Sequence, residues 1–511
     1  MKMSRKALAL GAALCFFAGY SPADESAVNP QVVKVMNEVS EDRIKAIIEK
    51  LVSFGTRNTM SNAGDAARGV GAARQWIFDQ FKSYSPRLEV RFDKFRVKKQ
   101  GQRIFKDVDL YDVIAVLPGK TMPETEVWIS GHYDSLNLGT RPAGGAAPGP
   151  GGDAAAGGGA AAAPQLTPAD YEKNAELPAP GACDDGSGIA AVMELARVMS
   201  QYDFDKTIVF AAFAGEEQGL VGSQLEAEKA HKENTVIEAV LNNDIIGTEV
   251  SGTGRTGNAS VNVYSDETMD SPSQELSRYV REIGERYIPS MKVNTVFMGD
   301  RLGRGGDHTP FQWEGYAAVR FSTPNEIYAN QHHATDTLEN MSVPYTARVA
   351  RMNAVVAASL ALAPKAPLVF RAAGQGGGRN GAGAAAGGTN AGGTPGAAGR
   401  GADGAAAPAG GGRRPTPLIT RGRSQYDAQL QWRPAGPDSS IKGYVVVVRP
   451  TTAPYWEQQI YVGKVTEYLM KDVSIDDLKF GIKAIGMNGG ESLVTPYLYP
   501  PRVKAPIETV Q

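Results

Sequence analysis

The sequence predicts an α/β protein, a mixed and mainly parallel sheet between helical layers, with a small all-β sandwich added at the C-terminus. Three observations carry this. Between about residues 88 and 362, apolar β-branched runs alternate with segments of helical spacing, as in strands joined by crossover helices. Within that region Lys206–Phe213 is a nearly unbroken apolar run, the signature of a strand covered on both faces. Beyond about Pro415 the texture changes to short aromatic-rich strands between Gly, Pro, Asn and Asp turns. With 511 residues the chain is too long for a single core, so two or more domains are expected.

In chain order, Lys2, Arg5 and Lys6 precede a short apolar run, and Ser21-Pro22-Ala23 offers a small-residue cleavage site. Residues 1–23 are therefore expected to be a signal peptide, which makes the protein exported, periplasmic or secreted. The run is too short to span a membrane with ease, so no transmembrane span is expected in the mature chain; an uncleaved anchor is the alternative. Processing would remove Cys15 and leave Cys183 alone, with no intramolecular disulfide. An exported chain of that kind relies on core size, bound metal, or both.

The large α/β region is taken as residues 24–363, beginning with a loose leader over residues 24–36. Ile44, Ile47, Ile48 and Leu51 mark a helix after Ser40, and Ala72, Trp76, Ile77 and Phe81 mark another. Strands are expected at Leu88–Arg96, Leu110–Leu117 and Val127–Ser130. Residues 140–180 interrupt this order. Their Gly/Ala/Pro-rich part cannot bury enough apolar surface to offset its ordering entropy, and it is expected as a flexible loop at the mouth of the site. Helices follow at Gly188–Met199, Gln218–His231, Pro272–Tyr287 and Val343–Leu362, with strands at Lys206–Phe213, Ile237–Leu241, Val261–Tyr264 and Ala317–Phe321. Residues 364–415 are expected as a Gly/Ala-rich flexible linker. Residues 416–505 form the β-sandwich, and Trp432, Lys442-Gly443-Tyr444-Val445-Val446 and Asn488-Gly489-Gly490-Glu491-Ser492 in it resemble a fibronectin type III module.

A formal net charge of -2 argues against nucleic acid as a partner, which would call for a basic excess. The chemistry lies in five short motifs in order: Gly-His-Tyr-Asp at 131–134, Cys-Asp-Asp-Gly-Ser-Gly at 183–188, Ala-Gly-Glu-Glu at 214–217, Asn-Asn-Asp at 242–244 and His-His-Ala-Thr-Asp-Thr at 332–337. His132, Glu216-Glu217 and Asp244 each follow a predicted strand, so three strand ends deliver metal-binding side chains to one sheet edge, where sites form in open α/β folds. Singly, each residue has a plainer role: Asp184 as a helix cap, Glu217 as a dipole partner, His132 or His332 as hydrogen-bonded loop histidines. Jointly, a purely structural set would leave clustered carboxylates near a core edge without a counter-charge.

Together these motifs resemble the exported co-catalytic zinc aminopeptidases of metallopeptidase family twenty-eight. The likeness spans roughly residues 40–363, apart from the low-complexity insertion. It implies the zinc-dependent exopeptidase fold and two Zn2+ ions per active site. His132, Asp184, Glu217, Asp244 and His332 match the metal ligands, with Asp184 as the bridge. His332 is preferred over His333 because it stands four residues before Asp336. Glu216 matches the general base, acting on a metal-bridging water in the release of an N-terminal residue from peptide or protein substrates. Asp134, Asp185 and His308 match residues that support the ligands, and the peptide bond between Asp184 and Asp185 is often cis in such proteins. The Tyr that some relatives use on the oxyanion is absent from Arg301-Leu-Gly-Arg304-Gly, which leaves Arg304, Tyr328 or the metal alone. A carboxypeptidase, dipeptidase or glutaminyl cyclase of the same fold is the alternative, as is a non-catalytic peptide-binding protein. Contact with cell wall or substrate is a further expectation for the C-terminal module.

Overall fold

The computed structural model describes residues 28–139, 166–301, 303–370, 419 and 426–498. The expected signal peptide, the Gly/Ala-rich core of the insertion and most of the expected linker lie outside the described residues. Among the described residues, no helix is long and apolar enough to cross a membrane.

Eight strands build the main sheet: β1 (Glu89–Val97), β2 (Val108–Leu117), β3 (Met122–His132), β4 (Lys206–Phe213), β5 (Val236–Asn243), β6 (Ser260–Tyr264), β7 (Lys292–Val296) and β8 (Ala318–Ser322). Their order is β1-β2-β4-β3-β5-β8-β6-β7. The central pairs β4·β3, β3·β5 and β5·β8 are parallel, as is β6·β7, while β1·β2, β2·β4 and β6·β8 are antiparallel. Every residue of β4 is buried, as its unbroken apolar run predicts. Ile208, Phe210 and Ala212 join one core cluster and Val209, Ala211 and Phe213 the opposite one, so a single strand feeds both faces.

The helices are α1 (Pro30–Asn37), α2 (Glu41–Ser53), α3 (Gly69–Tyr84), α4 (Pro168–Asn174), α5 (Gly186–Met199), α6 (Val221–Glu233), α7 (Pro272–Tyr287), α8 (His308–Trp313) and α9 (Val343–Leu362). The apolar sides of α1, α2, α3, α5, α7 and α9 pack on one face of the sheet. Those of α6 and α8 pack on the other.

Three stretches depart from expectation. The loose leader instead contains α1, capped by Asn29 and started by Pro30, with Val32 and Val35 buried. Two turns of helix with two buried apolar residues are too short to show a period. Within the insertion, residues 168–174 form α4, opened by a reciprocal Thr167–Asp170 capping box. The chain after α4 is pinned down as well, since Ala179 donates its N–H to Gly55 O at 2.8 Å. Finally, the linker begins later than residue 364. Leu368–Val369 forms β9, which pairs with Trp432 and Arg433.

The C-terminal module continues with β10 (Ala428–Arg433), β11 (Ile441–Pro450), β12 (Gln458–Gly463), β13 (Glu467–Met470), β14 (Leu478–Gly486) and β15 (Thr495–Pro496). Two antiparallel sheets, β13-β10-β9 and β12-β11-β14-β15, enclose Leu430, Trp432, Tyr444, Val446, Phe480 and Ile482. The described part of the module packs against α7 and the turn before it. Arg449 pairs with Asp270, just before α7. Lys483 meets Glu282 of α7 at 2.9 Å and also pairs with Glu491. Arg286 of α7 reaches Glu491 at 2.7 Å, and Trp456 Nε1 donates to Glu275 Oε2 at 2.9 Å. The charged side of α7 resembles a solvated face in sequence, but its partners arrive from up to 205 residues away.

Candidate metal centre

The site lies at the carboxyl ends of the parallel strands. In the parallel β3·β4 register His132 stands opposite Phe213, the last residue of β4. The turn after β4 carries Glu216 and Glu217, and Asp244 follows β5 directly. Asp184 stands just before α5, whose N-cap is Asp185. His332 follows β8 on a loop and holds a left-handed backbone, φ 57°. Among the described residues two clusters have the spacing for an ion: His132, Glu216 and Asp244, and Asp184, Glu217 and His332, all buried, with ligand atoms within 4.8 Å of one another in each. The second cluster contains His332 and not His333.

Asp184 joins the two. Its Oδ1 lies 3.2 Å from His132 Nε2 and its Oδ2 lies 3.3 Å from His332 Nε2. His332 Nε2 is also 3.1 Å from Glu217 Oε2, and His132 Nε2 is 3.8 Å from Asp244 Oδ1. The peptide bond between Asp184 and Asp185 is cis.

These groups fit cations. His132 Nε2 and both Glu217 carboxylate oxygens are buried without a hydrogen-bond partner. Native proteins rarely leave such atoms unsatisfied. Burial alone lowers the His332 pKa, but Glu217 and Asp184 override it and raise it to about 9. Burial, with Glu217 and Asp244, drives the Glu216 carboxyl well above the usual range against the pull of His132. The donor set of imidazole and carboxylate suits zinc.

Supporting residues surround the set. The Asp134 main-chain O lies 3.1 Å from His132 Nδ1, and the Asp134 carboxylate accepts the N–H groups of Glu216 and Glu217 at 3.3 Å each. Thus one residue positions the histidine and both glutamates. Asp185 accepts the N–H of His132 at 3.2 Å, of Gly188 at 2.9 Å and of Ile245 at 3.3 Å, tying three site segments together. His308 opens α8 instead of lying in a loop. Its Nε2 lies 2.6 Å from Gly299 O, and burial lowers its pKa to about 4, so it is a neutral support for that loop.

Three further residues shape the site without standing in any of the five motifs as candidates. Asp336, which in the sequence only marks the spacing to His332, accepts the N–H groups of Cys183 and Asp184 at 2.9 Å each and so fixes the Asp184 turn. Arg57, fully buried, donates to Tyr133 O at 2.7 Å and Gly181 O at 2.9 Å. Arg320, also fully buried, lies 3.2 Å from Asp244 Oδ2. These two guanidinium groups supply part of the counter-charge that a purely structural set was expected to lack. An Arg interrupting the apolar run Ala317–Phe321 is the sequence signal for Arg320. At the rim, Arg304 Nη1 donates to Gln331 Oε1 at 3.2 Å, whereas Tyr328 is 63% exposed. A cavity beside Asp184 is lined by Cys183, Ile245, Thr248, Ile327 and Gln331, among others.

A paired set of buried imidazole and carboxylate ligands at the carboxyl edge of such a sheet defines a metal-dependent hydrolase. The family model described as Peptidase family M28 matches residues 112–357. A probable zinc metalloprotease of Pyricularia oryzae is 35% identical over 496 residues, covering 90% of this chain and 83% of that protein. A probable zinc metalloprotease of Leptosphaeria maculans is 30% identical over 509 residues, covering 94% and 98%. The chain belongs to peptidase family M28 and is a zinc metallopeptidase. Among solved structures, the LapA aminopeptidase of Legionella pneumophila is 20% identical with a TM-score of 0.46, covering 65% of this chain and 74% of that one. A glutaminyl cyclase of Porphyromonas gingivalis is 17% identical with a TM-score of 0.44, covering 62% and 97%.

Proposed function

We propose that this zinc metallopeptidase is an exported aminopeptidase that holds two zinc ions and removes the N-terminal residue from peptides. The observation that carries the two-ion reading is Asp184, whose two oxygens face one histidine each, at 3.2 and 3.3 Å. His132 and Asp244 would hold one ion, His332 and Glu217 the other, and Asp184 both. When bound, zinc polarises the scissile carbonyl and lowers the pKa of water. Glu216 takes the proton of the attacking water and returns it to the leaving amine. Its buried carboxylate sits beside His132 and Asp244, and Asp134 fixes its backbone through the N–H bond of 3.3 Å. Asp134, Asp185 and Asp336 keep the ligands in register without touching substrate.

The test is peptide cleavage by the purified chain with free and acetylated N-termini, before and after chelation and zinc restoration. Release of single N-terminal residues, blocked by acetylation and restored by zinc, supports the proposal. Metal-dependent cleavage indifferent to acetylation points to a carboxypeptidase, and cyclisation of N-terminal glutamine without cleavage to a glutaminyl cyclase. Export is tested by the N-terminus of the protein recovered outside the cytoplasm, expected just after Ala23. The strand orders of the two C-terminal sheets support a fibronectin type III-like reading of that module. Its proposed contact with cell wall or substrate is tested by co-sedimentation of the full chain with wall material.

A further inference from the structure

The two halves of the site are built differently. The Glu217 carboxylate faces its own cluster, with Oε2 3.1 Å from His332 Nε2. The Asp244 carboxylate is divided instead. Its Oδ1 lies toward His132 Nε2 at 3.8 Å, and its Oδ2 lies 3.2 Å from Arg320 Nη2. The same Nη2 donates to the Asp244 main-chain O at 3.3 Å, so one nitrogen grips the residue at two points.

Arg320 has little freedom to release it. It is a β8 residue in register with Asn242 on β5, and Asp244 donates its N–H to Phe321 O at 3.2 Å. Its other terminal nitrogen, Nη1, is held by Asp300, which also binds Arg301. Gly306 closes the remaining side, where a β-carbon would stand 3.2 Å from Arg320 Cδ and 3.4 Å from Asp244 Oδ2. Burying a guanidinium is costly, and Asp300 alone could supply a counter-charge. Neutralisation therefore does not explain the two-point grip on Asp244.

We propose that Arg320 confines Asp244 to one-oxygen coordination, which keeps a position open for substrate on the ion shared with His132. A catalytic zinc needs such an open position, and a second carboxylate oxygen would fill it. Arg320 is thus a positioning residue: it acts on the reaction through Asp244. This inference rests on the two-ion reading above.

The test compares wild type with Arg320→Met and Arg320→Lys. Zinc content and zinc affinity are measured by competition with a chromophoric chelator, and kcat and KM on an uncharged aminoacyl nitroanilide. Arg320→Met frees Asp244 Oδ2 and removes a positive charge beside the ion. It is expected to keep two zinc ions, to hold the one at His132 and Asp244 about tenfold more tightly because a second carboxylate oxygen becomes free to bind it, and to lose about tenfold or more in kcat with little change in KM, the activity loss typical of residues that orient metal ligands. Arg320→Lys keeps the charge but not the two-point grip, and is expected to shift both quantities in the same direction by less. It carries the test if the methionine variant does not fold. Weaker zinc binding in a folded variant would make Arg320 a structural prop and overturn the inference, as would an unchanged kcat. A wild-type chain that takes up only one zinc would overturn the two-ion reading itself, independently of the variants.

Discussion

Replacing Lys483 with methionine is expected to destabilise the whole chain and not the C-terminal module alone. The Lys483 ammonium is buried and contacts two carboxylates, Glu282 on α7 at 2.9 Å and Glu491 within the module. Burial alone would raise the Glu282 carboxyl, but Lys483 overrides it and holds it down to about 2. The difference from the ordinary value of 4.5 corresponds to roughly 3 kcal/mol of net stabilisation of the carboxylate, most of it from Lys483 with smaller shares from Gln459 and Arg286. Because the Glu282 side chain is 29% exposed, solvent screening trims this to about 2 kcal/mol. Glu491, 8% exposed at its side chain, loses one cation but keeps Arg286 at 2.7 Å. The sum is a loss of about 2–3 kcal/mol, near the lower end for breaking a buried pair. Methionine retains most of the apolar stem, so packing changes little. The assay is urea unfolding of the full chain, followed by tryptophan fluorescence and by residual peptidase activity. Both midpoints are expected to fall together. An activity midpoint that stays put while fluorescence shifts would mean that the module unfolds independently, and would refute the docked interface.

The other predictions concern the site and its surroundings. Glu216→Gln is expected to abolish turnover while two zinc ions stay bound, because it removes the base and no proposed ligand; normal activity in that variant would sink the assignment. Asp184→Ala is expected to lose zinc at both positions and lower the melting temperature, checked by metal analysis and calorimetry; full zinc occupancy would remove its bridging role. Burial, followed by Asp93, raises the Glu226 carboxyl to about 8. The native state therefore keeps a proton that the unfolded chain, ionising at about 4.3, has released, so this residue's contribution to stability falls as pH rises from about 4 to about 8. Glu226→Gln is expected to gain stability over wild type at about pH 9 and much less at about pH 5 in chelator-treated protein. An equal gain at both values would count against the assignment.

Much of the fold and of the site is legible in the amino-acid sequence. The bounds of α7 and α9 follow directly from their periodic apolar residues, with Pro272 and a serine cap opening one and Ser342 the other. The unbroken apolar run of β4 announces a central strand. The residues that meet at the site are legible because all but His332, which lies on a loop, sit at or just beyond a strand or helix end, and because the five motifs occur in order. Single elements with few residues are not: α1 and α8 are too short for a period, and β7 is an edge strand paired, among the described residues, with β6 alone. Arg57, Arg320 and Asp336 are hidden in the sequence because their roles depend on partners that folding brings from far along the chain. Arg57 lies 124 residues from Gly181, and Asp336 lies 152 residues from Asp184. The charges of α7 give a misleading signal for the same reason. A helix face rich in Glu and Arg suggests solvent, yet here it meets complementary charges on the module.

The most direct test of the central claim is anomalous diffraction at the zinc edge from crystals of the zinc-loaded chain. Two peaks are predicted, one bonded by His132 and Asp244, the other by His332 and Glu217, with Asp184 bound to both and Glu216 bound to neither. A single peak at full zinc supply, or an ion bonded directly by Glu216, would contradict the two-ion site and the assignment of Glu216 as its base.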